Sequence, residues 1–165
     1  MTSSLVGSEM CIRDRREIGI IARALDSIAN IEFRDLDLAR GQYLYLVRIA
    51  EQPGMIQEEL SDLLKVDRST VARSVKKLEE RGLIQQRPRG ENLKTKEWEL
   101  TEKGKQIYPF ILGEHLYSER TALKGFSKKE VAQLEEYLIR VRENITLDWE
   151  LVKKGKKRNY SEVKQ

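Results

Sequence analysis

Seven apolar residues near the C-terminal end, Val131, Leu134, Leu138, Val141, Ile145, Trp149 and Val152, follow one another at spacings of 3, 4, 3, 4, 4 and 3. That period places them on one stripe of a long helix. Ser127-x-x-Glu130 just before it has the form of a capping box. A seam of this kind has to lie against another helix, and self-association is its simplest use. Near the other end Ile18, Ile21, Leu25 and Ile28, with Ala22 and Ala29 beside them, repeat the pattern. The chain is therefore expected to be mainly α, with a long helix at each end.

Composition narrows the function. The 165 residues are 39% hydrophobic and 35% charged, with one Cys and one His. Such a chain is globular and has a strongly charged surface. Disulfide frameworks, Cys/His zinc centres and His-based triads lack their parts, so no metal and no cofactor is expected. With no nucleophile–base pair and no phosphate-cradling glycine loop, the chain is not expected to be an enzyme. No window reaches the length of a membrane span and no apolar leader is evident, so a cytoplasmic location is expected. The net charge is +4, unevenly distributed. Lys65–Lys96 carries ten Lys/Arg against four acidic residues, and Lys153–Gln165 six against one, which leaves −7 elsewhere. A basic middle within an acidic body is the footprint of an anion-binding face.

The N-terminal segment reads differently. Glu9-Met10-Cys11-Ile12-Arg13-Asp14 back-translates to a sequence resembling the transposase end used in sequencing-library preparation. Residues 1–15 are thus expected to be non-native or disordered, and Cys11 not a native thiol.

Between the end helices the punctuation is dense. Asp37 is placed to cap a helix whose Leu38, Tyr43, Leu46, Val47 and Ile49 face inward, and Pro53-Gly54 ends it. Gln57–Leu64 reads as a short helix with Ile56, Leu60, Leu63 and Leu64 on its buried edge. After Lys65-Val66, Asp67 caps a helix over about Arg68–Arg81, with Val71, Val75 and Leu78 inward and Gly82 as a left-handed stop. Leu83-Ile84 begins a strand, Arg87–Asn92 reads as a turn, and Glu97–Leu100 alternates as the return strand. Thr101 caps the next helix, in which Ile107, Ile111 and Leu116 are apolar and Pro109 marks a kink or an early turn.

Helix, short turn, helix and basic hairpin together make a winged helix-turn-helix. The second helix carries Arg68, Ser69, Thr70, Arg73, Ser74, Lys76 and Lys77. Short hydroxyls at its start permit close approach to a groove, and its N-terminus favours a phosphate. Arg73 has the reach and fork to read guanine O6 and N7. Arg87, Arg89, Lys94 and Lys96 load the wing with charge suited to the minor groove. The competing reading is a solvated charged face on a winged-helix protein-interaction module without specific DNA recognition; a steep salt dependence separates the two. Tyr43, Tyr45 and His115 are candidates for a small-molecule pocket, although such residues also serve as ordinary core. The tail after Val152 is expected to be disordered, either attracting DNA or solubilising the end.

The run LSDLLKVDRSTVARSVKKLEERGLI, Leu60 to Ile84, resembles the helix-turn-helix of the MarR transcription regulators. So do KEWELTEKG, Lys96 to Gly104, and Leu38-x-x-x-Gln42-Tyr43-x-x-Leu46. The resemblance covers about residues 16–152. It implies a winged helix-turn-helix over about 36–101 and dimerisation helices over 16–32 and 102–152, followed by the basic tail 153–165. It also implies a dimer and release from DNA by a small-molecule effector. The chain is accordingly expected to act as a homodimer on a pseudo-palindromic operator in double-stranded DNA, and to repress, because binding near a promoter obstructs polymerase. One departure stands out. Where the family's wing holds an Asp and an Arg two residues apart, this chain has Asn92 and Lys94. Asn supplies no carboxylate, and Lys keeps the charge but loses the bidentate fork.

Overall fold

The computed structural model describes residues 5–38, 41–89 and 92–160, and the side chains of all of these except 5–14 and 92–94. In chain order the elements are α1 (Leu5–Glu32), a 3-10 turn (Arg34–Leu36), α2 (Gln42–Glu51), α3 (Gln57–Leu64), α4 (Arg68–Glu80), β1 (Ile84–Arg89), β2 (Asn92–Leu100), α5 (Glu102–Ala122) and α6 (Lys128–Lys153). Contacts group these into two compact units: Arg15–Ser118, and Glu119 onward together with the first turns of α1. The fold is mainly α with a small antiparallel hairpin, as the sequence predicts.

In the first unit the core is built where α2, α3, α4 and the hairpin meet. Leu46, Leu60, Val71 and Leu78 are fully buried, with Trp98 of β2 and Ile111 of α5 in the same cluster. Burying each such side chain contributes about 1.5–3 kcal/mol. The turn between α3 and α4 is closed by Lys65 in the left-handed region (φ 55°) and by the buried Ser61 hydroxyl, which donates to the Val66 carbonyl at 2.7 Å. At the other end of α4, Gly82 (φ 69°) lets its own amide reach Glu79 O at 2.8 Å and the Leu83 amide reach Leu78 O at 2.9 Å. This double closure is a Schellman stop, and it aims Leu83 and Ile84 into the core.

Several details differ from the sequence reading. α1 begins at Leu5 and so runs helically through the segment expected to be non-native or disordered. Asp37 does not cap α2: it closes the 3-10 turn with φ 59°, and Gly41 (φ 73°) precedes α2 instead. The reason is local. The Leu38 amide reaches back to Phe33 O at 3.2 Å, which buries both side chains and requires a left-handed residue between them, a conformation Asp tolerates. Leu63 is exposed, not on the buried edge of α3. Pro109 lies within α5, which continues past it to Ala122.

The hairpin is longer than expected. Arg87 to Arg89 belong to β1 and pair with Glu97, Lys96 and Asn92, with a register shift after Pro88. β1 is a sheet edge, so Pro88 costs no ladder bond there. The other edge is not bare. Gly54 N reaches Trp98 O at 3.0 Å and Trp98 N reaches Met55 O at 2.9 Å, so the segment before α3 pairs with β2.

In the second unit, Ser127 and Glu130 form the reciprocal capping box at the start of α6. The tail does not leave α6 as featureless chain. Gly155 (φ 76°) makes a second Schellman stop, and Arg158 reaches Asp148 at 3.3 Å.

Candidate nucleic-acid interface

The helical period sorts the α4 side chains. Val71, Val75 and Leu78 face the core, which turns Ser69, Arg73, Lys76 and Lys77 outward and leaves Thr70 and Ser74 on the flanks. Exposure follows that order: Ser69, Arg73, Lys76 and Lys77 are exposed, Thr70 and Ser74 half-buried.

Asp67 organises the start of this face. Its carboxylate accepts from the Thr70 amide at 2.8 Å, the Ser69 hydroxyl at 2.5 Å and the Thr70 hydroxyl at 2.6 Å. These hydrogen bonds hold the Asp67 carboxyl well below the usual carboxylate range, the two side-chain hydroxyls first and the backbone amide after them. Because the folded group titrates below the unfolded one, its contribution is complete above the ordinary Asp value of about 3.9. It is lost only as pH falls well below that range. A carbon-13 titration of Asp67 is expected to show no midpoint near 4; a midpoint there would dissolve this cap.

The two hydroxyls thus have their protons committed within the helix and offer oxygen lone pairs outward. Arg73 Nη2 donates to Thr70 Oγ1 at 3.3 Å, and among the described residues no carboxylate lies within ion-pair distance of it. Lys77 is likewise without an acidic partner, and Lys76 only approaches Glu80 at 3.8 Å. Arg68 points elsewhere. It pairs with Glu58 of α3, and its carbonyl accepts from Gln57 Nε2 at 3.2 Å, so it joins the two helices of the motif.

The wing differs most from expectation. Arg87 Nε lies 2.6 Å from Glu97 Oε1, and its Nη1 lies 3.0 Å from Glu99 Oε2. Arg89 Nη1 lies 2.9 Å from Glu59 Oε1. Lys96 is exposed, with no acidic partner among the described residues. The side chains of Asn92 and Lys94 lie outside the described residues. The carboxylates that hold the arginines, Glu58, Glu59, Glu97 and Glu99, were not among the candidate residues. Register alone would have found two of them, since Arg87 faces Glu97 across the hairpin.

Of the three pocket candidates, Tyr43 and His115 pack against each other and Tyr45 lies in the core. Tyr43 is buried and its hydroxyl donates to Asp26 at 3.0 Å; burial first, then this bond, pushes it well above the ordinary phenol range. Its ring packs against Phe33 at 5.1 Å and edge-on against His115 at 5.6 Å. Tyr45 is buried in the core. A cavity of about 440 Å³ lies instead at the root of the wing, with Ile49, Pro53, Leu100 and Tyr108 on its walls and Gln85, Glu99, Glu102 and Lys105 among its polar lining. No helix among the described residues is long and apolar enough to cross a membrane.

A capped helix with an outward cationic face, a short helix before it and a braced hairpin after it define a winged helix-turn-helix domain. The MarR family model matches residues 38–96, from the start of the motif to the wing. The uncharacterized HTH-type transcriptional regulator YybA of Bacillus subtilis (strain 168) is 59% identical over 145 residues, 88% of this chain and 97% of that protein. A MarR family transcriptional regulator from Listeria monocytogenes, solved in complex with a 26mer DNA, is 54% identical with a TM-score of 0.85, covering 88% of this chain and 97% of that one. The MarR protein from Peptoclostridium difficile is 28% identical with a TM-score of 0.79, covering 92% and 97%. The chain belongs to the MarR family. It is a transcriptional regulator and not an enzyme.

Proposed function

We propose that the chain binds double-stranded DNA sequence-specifically, as a homodimer on a pseudo-palindromic operator, and represses transcription by obstructing polymerase. The observation that carries this reading is the outward face of α4. Arg73, Lys76 and Lys77 stand there beside a dipole-positive helix start, and Arg73 has no carboxylate among the described residues to satisfy it. Ser69, Thr70 and Ser74 border that face with hydroxyls, and Lys96, with Lys94, supplies wing charge. The Listeria relative solved in complex with a 26mer DNA supports DNA as the partner.

Dimerisation is supported by apolar surface that a single chain leaves uncovered. On α6, Leu138, Val141, Ile145 and Val152 are each about half exposed, and on α1 Ile18, Ile21 and Ile28 are too. Stripes of this size on long helices mark an association face. Two modules joined this way reach successive major grooves about 34 Å apart. An effector that binds better to a dimer with a different module spacing lowers DNA affinity by that difference. The protein acts in the cytoplasm, where its operator is.

Sedimentation tests the assembly. The full chain is expected to sediment as a dimer, and Leu138→Glu with Ile145→Glu as a monomer that has lost operator binding. A wild-type monomer that binds an operator at full affinity would overturn the dimeric reading.

A further inference from the structure

The wing arginines stand in a chain of carboxylates. Glu59 Oε2 accepts the Ile56 amide at 2.9 Å, capping α3, while its Oε1 takes Arg89 Nη1 at 2.9 Å. Arg89 Nε also lies 3.9 Å from Glu97 Oε2. Glu97 binds Arg87, which also binds Glu99, whose Oε1 accepts from Gln85 Nε2 at 2.7 Å. Glu97 is only 8% exposed. Its carboxylate packs over Gly54, where an added Cβ would sit 3.3 Å from Oε2.

The charges of this chain decide how it can be used. Glu59, Glu97 and Glu99 outnumber Arg87 and Arg89, so the cluster is net negative. A phosphate approaching either guanidinium meets a site already occupied and an excess of like charge. Exchanging one carboxylate for one phosphate would strand a carboxylate, and Glu97 is nearly buried. Lys96, opposite Pro88 between the two arginines across the hairpin, has no such partner among the described residues. The two ends of the network also have different anchors: β2 is hydrogen-bonded to Gly54 and Met55, and Arg89 ties the distal part of β1 to α3.

We propose that Arg87 and Arg89 are positioning residues and not phosphate contacts: with Glu59, Glu97 and Glu99 they brace the wing against the N-terminus of α3, so that Lys96 is presented in a fixed orientation. This rests on the DNA-binding reading above. It assigns Glu59 a double duty, capping α3 and orienting the wing. It also supplies rigidity that Asn92 cannot, since Asn lacks the carboxylate for an ion pair within the wing.

The sign of one substitution separates the alternatives. Glu59→Gln removes a negative charge but keeps an oxygen for the Ile56 amide. As a brace residue, its loss weakens operator binding, by about two- to fivefold for a pair of this exposure. If Arg89 were a phosphate contact, removing the nearby negative charge would leave binding unchanged or tighten it. Arg89→Ala is expected to weaken binding by a similar factor, with the salt slope unchanged. A phosphate contact would lower that slope by about 0.9. Arg89→Lys keeps the charge and loses the fork, so a brace predicts no rescue and a phosphate contact predicts near-complete rescue. Hydrogen exchange of the β1 amides in DNA-free protein is expected to quicken in Glu59→Gln and in Arg89→Ala.

The measurement is operator binding by anisotropy across a salt series, with exchange recorded in parallel. Unchanged or tighter binding by Glu59→Gln, a reduced slope in Arg89→Ala, near-complete rescue by Arg89→Lys, or unchanged β1 exchange in both Glu59→Gln and Arg89→Ala would each overturn the brace. A wild-type chain that binds no DNA would sink the DNA-binding reading instead, while the exchange data would still judge the brace.

Discussion

Arg73→Ala is expected to lower affinity for the specific operator by about 1–3 kcal/mol, roughly five- to 150-fold, and to relax preference at one base position. The side chain lies one turn into α4 on the face turned from the core, and among the described residues its fork is held by nothing stronger than the Thr70 hydroxyl at 3.3 Å. Little has to be broken before it can meet a base edge. Lys96→Ala provides the contrast, because a phosphate contact carries no sequence information. It is expected to weaken all sequences alike and to reduce the salt slope by about 0.9. Binding to scrambled and specific duplexes at several salt concentrations distinguishes the two. An Arg73→Ala protein that binds its operator unchanged would show that α4 is not the reading helix.

Gly104→Ala is expected to destabilise the fold by about 1–3 kcal/mol, with a fall in Tm of about 2–4 °C per kcal/mol. An added Cβ would lie 2.1 Å from the Leu83 carbonyl oxygen and 3.1 Å from its carbon, both of them backbone atoms. No rotamer change relieves that overlap. The corner is pinned by several bonds: the Thr101 amide donates to Leu83 O at 3.1 Å, and the Thr101 hydroxyl donates to Gly82 O at 2.6 Å. The Gly104 amide returns to Thr101 Oγ1 at 3.1 Å, and Lys103 Nζ donates to Arg81 O at 2.8 Å. Relieving the clash therefore moves the end of α4 and the first residue of the wing together. Gly113→Ala, on the same helix with nothing within 4 Å of an added Cβ, is the control. It is expected to be neutral or stabilising by up to about 1 kcal/mol. Thermal unfolding of both variants checks the contrast, and a Gly104→Ala protein as stable as wild type would refute the close approach.

The parts of this molecule legible from sequence are those fixed by short-range chemistry. Asp67 and Ser127 announce helix starts because a cap needs an acceptor within three residues, and both do cap. Gly82 announces a stop because the left-handed turn excludes most side chains. The inward faces of α4 and its neighbours follow from periodicity alone. What was not legible lies at long range. Nothing in the local sequence tells Arg89 that Glu59, thirty residues away, will stand 2.9 Å from it. Reading Arg87–Asn92 as a turn hid the hairpin register that sets Arg87 against Glu97. Charge counting therefore overstated the free positive charge on the wing and on Arg68. Asp37 failed as a cap because two buried side chains, Phe33 and Leu38, dictated a tighter turn. The α6 stripe was legible as a stripe, and its exposure in the single chain is what points to a second copy.

The most direct test of the central claim is selection of genomic fragments by the purified chain at two salt concentrations. The account predicts enrichment of one inverted repeat, with half-site centres about one helical turn apart, and weaker recovery at the higher salt. Recovery of DNA with no shared motif, or of none at either salt, would contradict it.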